Sequence, residues 1–372
     1  MSMDISLIVP LYKGQKYINK ILEMTANNQE HLQAKAELEL IFVNDFPEEE
    51  IVLPEGAAKS GGFVRVIENQ ANAGIHQSRI YGLKSALGKW VVFLDQDDTI
   101  ADTYLASQLA KAEGFDAVVS NGYWRNGECI YSETYPFVLP CSFETFLEGG
   151  YPLVSLGQLM VRREKIPDAW TKTPLEHNGC DDLYLWALMM AEHAGVAANG
   201  DLIYTHEEDG KNASLNYREM QRSIENVKEN FLALNCVSRE NNLRFADMLD
   251  RIASKYKQYD ALHTVFGSTA PGRVEQYLLS RGIQTLAVYG IGIYGKALLE
   301  LLEHTCIRVC YGIDQRADVK DVGIPVVSID SEMESVDAVI VTPIAEFDKI
   351  RETLREKGVK AGQMICLDEI LS

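Results

Sequence analysis

Trp90-Val91-Val92-Phe93-Leu94-Asp95-Gln96-Asp97-Asp98 sets an apolar run directly against a cluster of carboxylates. β-Branched and aromatic residues in so short a run read as a buried strand. Acidic residues just past the carboxyl end of such a strand stand where an open α/β sheet presents its ligand site. Crowded carboxylates repel one another unless a cation lies among them, and hard divalent ions prefer oxygen ligands. Asp95, Asp97 and Asp98 therefore point to a Mg²⁺ or Mn²⁺ site that holds a diphosphate. Taken alone, the stretch reads first as a solvated acidic turn, so its surroundings must decide.

Working outward, Ile5–Pro10, Leu38–Val43 and Phe63–Glu68 are further short apolar strands, with helical spacing over Tyr17–Asn27 and His76–Leu87. Strands and helices alternating at this spacing predict βαβ units and a mostly parallel sheet. Further on, Asp102–Lys111 reads as a helix and Ala117–Ser120 as the start of a strand. Asn121–Pro140 reads as hairpins or loops, Ser142–Glu148 as a helix over the site, and Leu159–Arg163 and Asp201–Thr205 as strands. The helix Asp181–Glu192 opens on two acids, Asp181 and Asp182, where the helix dipole favours carboxylates. From Tyr217 onward helical periodicity dominates, with core stripes at Ile224, Val227, Phe231 and Leu234 and at Phe245, Met248, Leu249, Ile252 and Tyr256. The chain thus divides into an α/β domain over 1–216, a helical bridge over 217–280 and a small parallel-sheet domain over 281–372.

Bulk properties narrow the function. The net charge of −19, from 35 basic and 54 acidic residues, argues against a nucleic-acid partner. Met1-Ser2-Met3-Asp4 leads straight into a strand without the features of a secretory signal. No apolar run approaches the roughly 20 residues that cross a bilayer. The seven cysteines are scattered, which fits free thiols better than a disulfide framework or a zinc site. The expected location is cytoplasmic.

The N-terminal region resembles family 2 glycosyltransferases of the GT-A fold over about the first 215 residues. The residues that carry the likeness are Ser6–Tyr12, Phe42-Val43-Asn44-Asp45, Asn72-Ala73-Gly74 with Arg79 and Gly82, and Gly88-Lys89-Trp90 leading to Phe93–Asp98. Asp181-Asp182-x-x-Leu185-Trp186 completes the ordered set. The resemblance implies transfer of a sugar, with inversion, from a nucleotide-diphosphate donor, a UDP-sugar above all. The acceptor would be a saccharide or lipid-linked saccharide in surface or capsular polysaccharide synthesis. It further implies work at the inner face of the membrane, as a homo-oligomer or within a biosynthetic complex. Pro10, Leu11, Tyr12 and Asp45 would border the nucleoside. Asn72, Gly74 and Gln96 would belong to the donor site, and Arg79 would reach the nucleotide or its phosphates. Asp95 would approach the ribose or the metal shell, Asp97 would ligate the metal, and Asp98 would help. Asp181 and Asp182 fall where the family places its base, and either acid could serve. His206 falls where some relatives contact metal or phosphate, although on the residues alone it reads first as a plain loop histidine. Asn44 stands where the family's turn usually has its first acid.

This assignment suits the chemistry. A departing diphosphate needs its charge neutralised, and the acceptor hydroxyl needs a carboxylate to take its proton. The C-terminal domain carries a second motif, Gly290-x-Gly292-x-x-Gly295, after a strand and before a helix, followed by Asp314. That pattern suits a dinucleotide pyrophosphate with Asp314 on the ribose, so this Rossmann-like domain admits NAD(P) binding. Two alternatives to glycosyl transfer follow: an NAD(P)-dependent oxidoreductase, and a non-catalytic nucleotide-sugar binder.

Overall fold

Every residue of the first strand, Ile5–Leu11, is buried, because one face of its pleat meets one helical layer and the next residue meets another. Leu7, Val9, Leu40, Phe42 and Val92 share one apolar cluster, whereas Ile8, Ile41, Val43, Val91 and Phe93 share a second. A sheet covered on both faces needs near-continuous apolar strands, and these segments supply them. The computed structural model describes residues 3–32, 36–57, 63–131, 138–207, 216–268, 271–303, 305–314 and 323–371.

In chain order the first unit contains β1 (Ile5–Leu11), α1 (Ile18–Leu32), β2 (Leu38–Asn44), β3 (Phe63–Glu68), α2 (Ile75–Ser85), β4 (Trp90–Phe93) and β5 (Thr99–Ile100). It continues with α3 (Tyr104–Lys111), β6 (Ala117–Trp124), α4 (Phe143–Gly149), β7 (Leu159–Arg162), α5 (Asp168–Lys172), α6 (Asp181–Ala191), β8 (Val196–His206), α7 (Tyr217–Leu234) and α8 (Arg239–Ser268). Among the described residues the strands form one sheet in the order β3-β2-β1-β4-β7-β6-β8-β5. The first four are parallel; β7 then runs antiparallel to both β4 and β6. Compact packing groups Met1–Lys257 and Gln258–Ser372 as separate units, the boundary falling within the α8 span.

One expectation holds and one is corrected. The strand that begins at Ala117 continues through Trp124, held extended by the pairing of Tyr123 and Trp124 with Thr205 and His206. The chain then doubles back, with Trp124 N donating to Glu128 O at 2.8 Å and Tyr123 bridging Cys129, a hairpin as expected at the head of the stretch Asn121–Pro140. Residues 132–137 of that loop lie outside the described residues. Helix α4 does not line the ligand cavity. Its Phe143 stacks on Phe231 of α7 at 5.4 Å and meets Phe245 of α8 edge-on at 5.6 Å. Aromatic burial of this kind, worth about 1.5–3 kcal/mol per ring, packs α4, α7 and the start of α8 together.

Gly88 of the Gly-Lys-Trp motif has a structural explanation. A Cβ there would lie 2.5 Å from the backbone nitrogen of Ser6, so only glycine lets the turn before β4 approach β1. Beside it the fully buried Glu39 accepts from the Ser6 hydroxyl, the Leu87 and Gly88 amides and Arg65. Those donors offset the desolvation of its charge.

The second unit contains α9 (Pro271–Ser280), β9 (Thr285–Tyr289), α10 (Ile293–Leu302), β10 (Arg308–Ile313), β11 (Val326–Val327), β12 (Val336–Val341), α11 (Phe347–Glu356), β13 (Ala361–Cys366) and α12 (Leu367–Leu371). Its sheet, β11-β10-β9-β12-β13, is parallel throughout.

Candidate active site

Beyond the carboxyl ends of β1 and β4 lies a cavity of about 520 Å³. Its walls gather Pro10, Leu11 and Tyr12 from the end of β1, Asp45 from the turn after β2, and Asn72, Gly74 and Arg79 from the start of α2. Asp95, Gln96 and Asp97 come from the turn after β4, Asp181 and Asp182 from the first turn of α6, and His206 from the end of β8. Residues far apart in the chain converge because parallel strands all present their carboxyl ends on one side.

Arg79 joins the two acidic clusters. The residue is 3% exposed; Nη1 donates to Asp181 Oδ2 at 2.7 Å, and Nη2 donates to Asp95 Oδ1. Burial alone would disfavour the cation, but Asp181 and then Asp95 outweigh it and raise its pKa. One N–H of each Nη is thus taken up by a carboxylate, while Arg79 also lines the cavity where the resemblance implies the nucleotide or its phosphates. The second oxygen of Asp95 accepts from Ser155 Oγ at 2.9 Å.

Asp182, next to Asp181, has its pKa raised to about 7, by burial first and then by the Asp181 carboxylate. Its Oδ1 accepts the amide of the next residue, Leu183, at 2.6 Å, and its place in the first turn of α6 is one where the helix dipole favours a carboxylate. Asp181 is anchored twice: its side chain by Arg79 and its carbonyl by Trp170 Nε1 at 2.9 Å.

Three site residues hold the wall itself. Asp45, 5% exposed, accepts from Asn69 Nδ2 at 2.8 Å, Ala73 N at 2.6 Å and Gly74 N at 2.9 Å, so its carboxylate secures the loop at the head of α2. Gly74 has φ +84°, and a Cβ there would lie 2.7 Å from Asn178 Oδ1; both facts exclude larger residues. Gln96 clamps the Tyr12 backbone, accepting from its N–H at 3.0 Å and donating to its carbonyl at 3.2 Å. That clamp fixes Tyr12, whose 47% exposed ring meets Phe46 edge-on at 5.3 Å. Asn44, the departure from the family turn, is 1% exposed and bonds Glu49 O and Glu68 Oε2.

Asp98 is turned away from the cavity. Fully buried, it accepts from the Tyr204 hydroxyl and from Glu207 N at 3.0 Å, and it lies 3.2 Å from His206 Nδ1. Burial pushes its pKa up against the hydrogen bond from His206. Asp98 thus orients His206 at the cavity wall, and this corrects its expected place among the metal ligands. Lys20 of α1 fixes the same turn by donating to the Asp97 carbonyl at 2.6 Å.

For a divalent ion the donor set is sparse. Among the described residues no group of three or more His, Cys, Asp or Glu side chains is arranged to hold a metal. Asp97 and His206 nevertheless stand on the cavity wall. Such ions commonly take one or two protein ligands and complete their shell with substrate phosphates and water. The residues fit that mode and not an all-protein cage. Sequence reasoning did not single out Ile75, Val154, Ser155, Leu156, Asn178 and Gly179, which also line the cavity. Of these only Asn178-Gly179 carried a signal, as turn residues ahead of an acidic helix start. Trp186 is fully buried and belongs to the core.

Residues 6–148 match the family described as glycosyl transferase family 2. This stretch is a family 2 glycosyl transferase domain. The chain is 31% identical over 110 residues to an uncharacterized glycosyltransferase, EpsJ, of Bacillus subtilis, covering 29% of this chain and 30% of that protein. It is 34% identical over 101 residues to the minor teichoic acid biosynthesis protein GgaB of the same organism, covering 27% of this chain and 11% of GgaB. The chain therefore spans less than a third of the length of these curated relatives. Residues 1–349 of TarS from S. aureus, in complex with UDP-GlcNAc, align with a TM-score of 0.53 and 18% identity, over 68% of this chain and 73% of that one. That likeness is one of fold, and it agrees with a GT-A sheet in which the family 2 domain supplies the parallel strands. No helix among the described residues is long and apolar enough to cross a membrane.

In the second unit the glycine turn closes on its own chain. Asp314 is 9% exposed, and its Oδ2 accepts the Ile291 amide at 2.7 Å. Thr342 Oγ1 donates to the Gly290 carbonyl at 2.7 Å, and a Cβ on Gly295 would lie 2.3 Å from that same carbonyl. A crevice of about 480 Å³ in this unit runs along α10 and is not lined by Gly290, Gly292, Gly295 or Asp314. These contacts account for the motif through local packing.

Proposed function

We propose that the protein is an inverting glycosyltransferase that moves a sugar from a nucleoside-diphosphate donor to a hydroxyl acceptor. The observation that carries this reading is the convergence of Asp95, Asp97, Asp181 and Asp182 on one cavity inside a GT-A unit. Pro10, Leu11 and Tyr12 border the nucleoside, and the Asp45-held loop at Asn72 and Gly74 shapes the donor side. Asp97 and His206 would hold Mn²⁺ or Mg²⁺, which as a Lewis acid neutralises charge on the departing diphosphate. Asp182 is the general base. As the acceptor oxygen bonds to the anomeric carbon, the C–O bond to the diphosphate breaks on the other face, and the hydroxyl proton passes to Asp182. A carboxyl near 7 suits that task, because a base works best with its pKa near the operating pH. Asp181, paired with Arg79, serves as a fixed counter-ion and not as the base. Surface polysaccharide synthesis is the proposed setting, since the relative GgaB is a teichoic acid biosynthesis protein.

The test is UDP release from UDP-GlcNAc, the donor bound by TarS and so the first one to try, with and without Mn²⁺. A thermal-shift screen of other nucleotide sugars finds the best donor by mass action. Asp97→Asn and Asp182→Asn should each lower turnover by about a hundredfold or more. Full turnover in both variants would falsify the proposal.

A further inference from the structure

Just ahead of α6, the turn His177-Asn178-Gly179-Cys180 brings a side-chain amide to the cavity wall. Helix α7 holds the backbone of this turn. Asn178 N donates to Glu219 Oε1 at 3.1 Å and Cys180 N donates to Ser223 Oγ at 3.1 Å, while Ser223 Oγ donates to the His177 carbonyl at 2.9 Å. Gly179 has φ +121°, and a Cβ there would lie 2.2 Å from Met220 Sδ, so only glycine follows Asn178 in this form. The Asn178 side chain is oriented from the opposite wall, where Ile75 N donates to its Oδ1 at 3.0 Å. A backbone N–H can only donate, so this bond decides which end of the amide is oxygen. The two N–H groups of Nδ2 are left over. Among the described residues Nδ2 donates to no protein group, although Asn178 lines the cavity. An amide fixed at its backbone and at its oxygen, with both donors open, is equipped to read a ligand oxygen.

We infer that Asn178 is a specificity-determining residue, its Nδ2 donating to an oxygen of the donor's sugar and so selecting which nucleotide sugar reacts. The inference rests on the reading of this cavity as a nucleotide-sugar site. On one side Asn178 meets Ile75 and Gly74, in the loop that Asp45 holds. On the other, Asp182 follows four residues later in the first turn of α6. In an inverting transfer the diphosphate leaves one face of the sugar while the base works at the opposite face. A donor set between the diphosphate side and the base therefore faces the edge of the sugar. Hydroxyl and N-acyl carbonyl oxygens both accept such a bond, so what is read is an oxygen at one position of the ring. A site built to hydrogen-bond one substrate group discriminates against an analogue that lacks it.

The experiment compares binding of a nucleotide with and without its sugar, using the full chain and Mn²⁺. Calorimetry gives Kd for UDP, UDP-GlcNAc, UDP-glucose and UDP-galactose, and for GDP and GDP-mannose, in the wild type and in Asn178→Ala. Loss of one neutral hydrogen bond should weaken the preferred nucleotide sugar by about 3–10-fold relative to its parent nucleotide. Loss of the Ile75 anchor alone acts on the donor loop, so it weakens nucleotide and nucleotide sugar by one common factor and leaves their ratio unmoved. Asn178→Ser gives the same comparison should the alanine variant fail to fold. A ratio that changes by less than about twofold for every sugar overturns the inference, whether both affinities fall together or neither falls. In that case wild-type binding still upholds the nucleotide-sugar reading. If the wild type binds none of these nucleotide sugars, that reading fails and the role of Asn178 falls with it.

Discussion

Replacing Arg79 with methionine tests whether the site is held together by charge. Methionine keeps the apolar stem and removes the guanidinium, leaving Asp95 and Asp181 without their shared cation. The Asp181 side chain is 4% exposed, and that of Asp95 is 24% exposed. Taking one partner from a buried ion pair costs about 3–5 kcal/mol, most of it here from Asp181, since Asp95 keeps access to water. At about 2–4 °C per kcal/mol for a unit of this size, the melting temperature should fall by about 6–20 °C. The assay is thermal unfolding of Arg79→Met, Asp181→Asn and the double variant at one pH. Residues in one network couple, so the double variant should recover about 1.5–3 kcal/mol relative to the sum of the single changes. A loss below about 1 kcal/mol in Arg79→Met, or strict additivity, would refute the idea that Arg79 links the clusters.

Three further outcomes are expected. Because Asp182 titrates near 7 and acts when deprotonated, UDP release should rise with pH through about 7 and level off above it; a flat profile between pH 5 and 8 would count against the base. The same raised pKa means the native state favours the protonated acid, so the stability contributed by Asp182 falls as pH rises from the unfolded value near 4 to about 7. Asp182→Asn should accordingly melt higher than the wild type at pH 8, with the gap closing towards pH 4. Asp45→Ala frees three donors at the head of α2, and should raise the KM for donor several-fold and lower stability by about 1–3 kcal/mol; an unchanged KM would show that the loop is held by other means.

Much of this site could be read from the chain because its chemistry is local. An apolar β-rich run followed by Asp95-Gln96-Asp97-Asp98 states both a strand end and its acidic turn. Asp181-Asp182 marks a helix start in the same way. What could not be read was the destination of each side chain. Arg79 looked like a phosphate ligand because a guanidinium fits phosphate oxygens, yet the fold offers it two carboxylates first. Asp98 looked like a third ligand beside Asp97, but the turn aims it at Tyr204 and His206. Ser155 lies in a stretch with no periodicity or motif, so nothing in its spacing announced a place at the site.

The sequence by itself determined the alternation of strands and helices, the acidic strand end, the acidic helix start and a second parallel sheet after residue 280. These follow from periodicity and from short-range chemistry. Tertiary structure alone decided which acid is paired and which is free. Asp181 and Asp182 are adjacent and identical in type, but only one of them meets the buried Arg79, which approaches from a helix about a hundred residues earlier. The other is left beside a like charge in a partly closed cavity, and that surrounding lifts its pKa to about 7. Adjacent residues in a helix point about 100° apart, so a difference invisible along the chain becomes the difference between a counter-ion and a base.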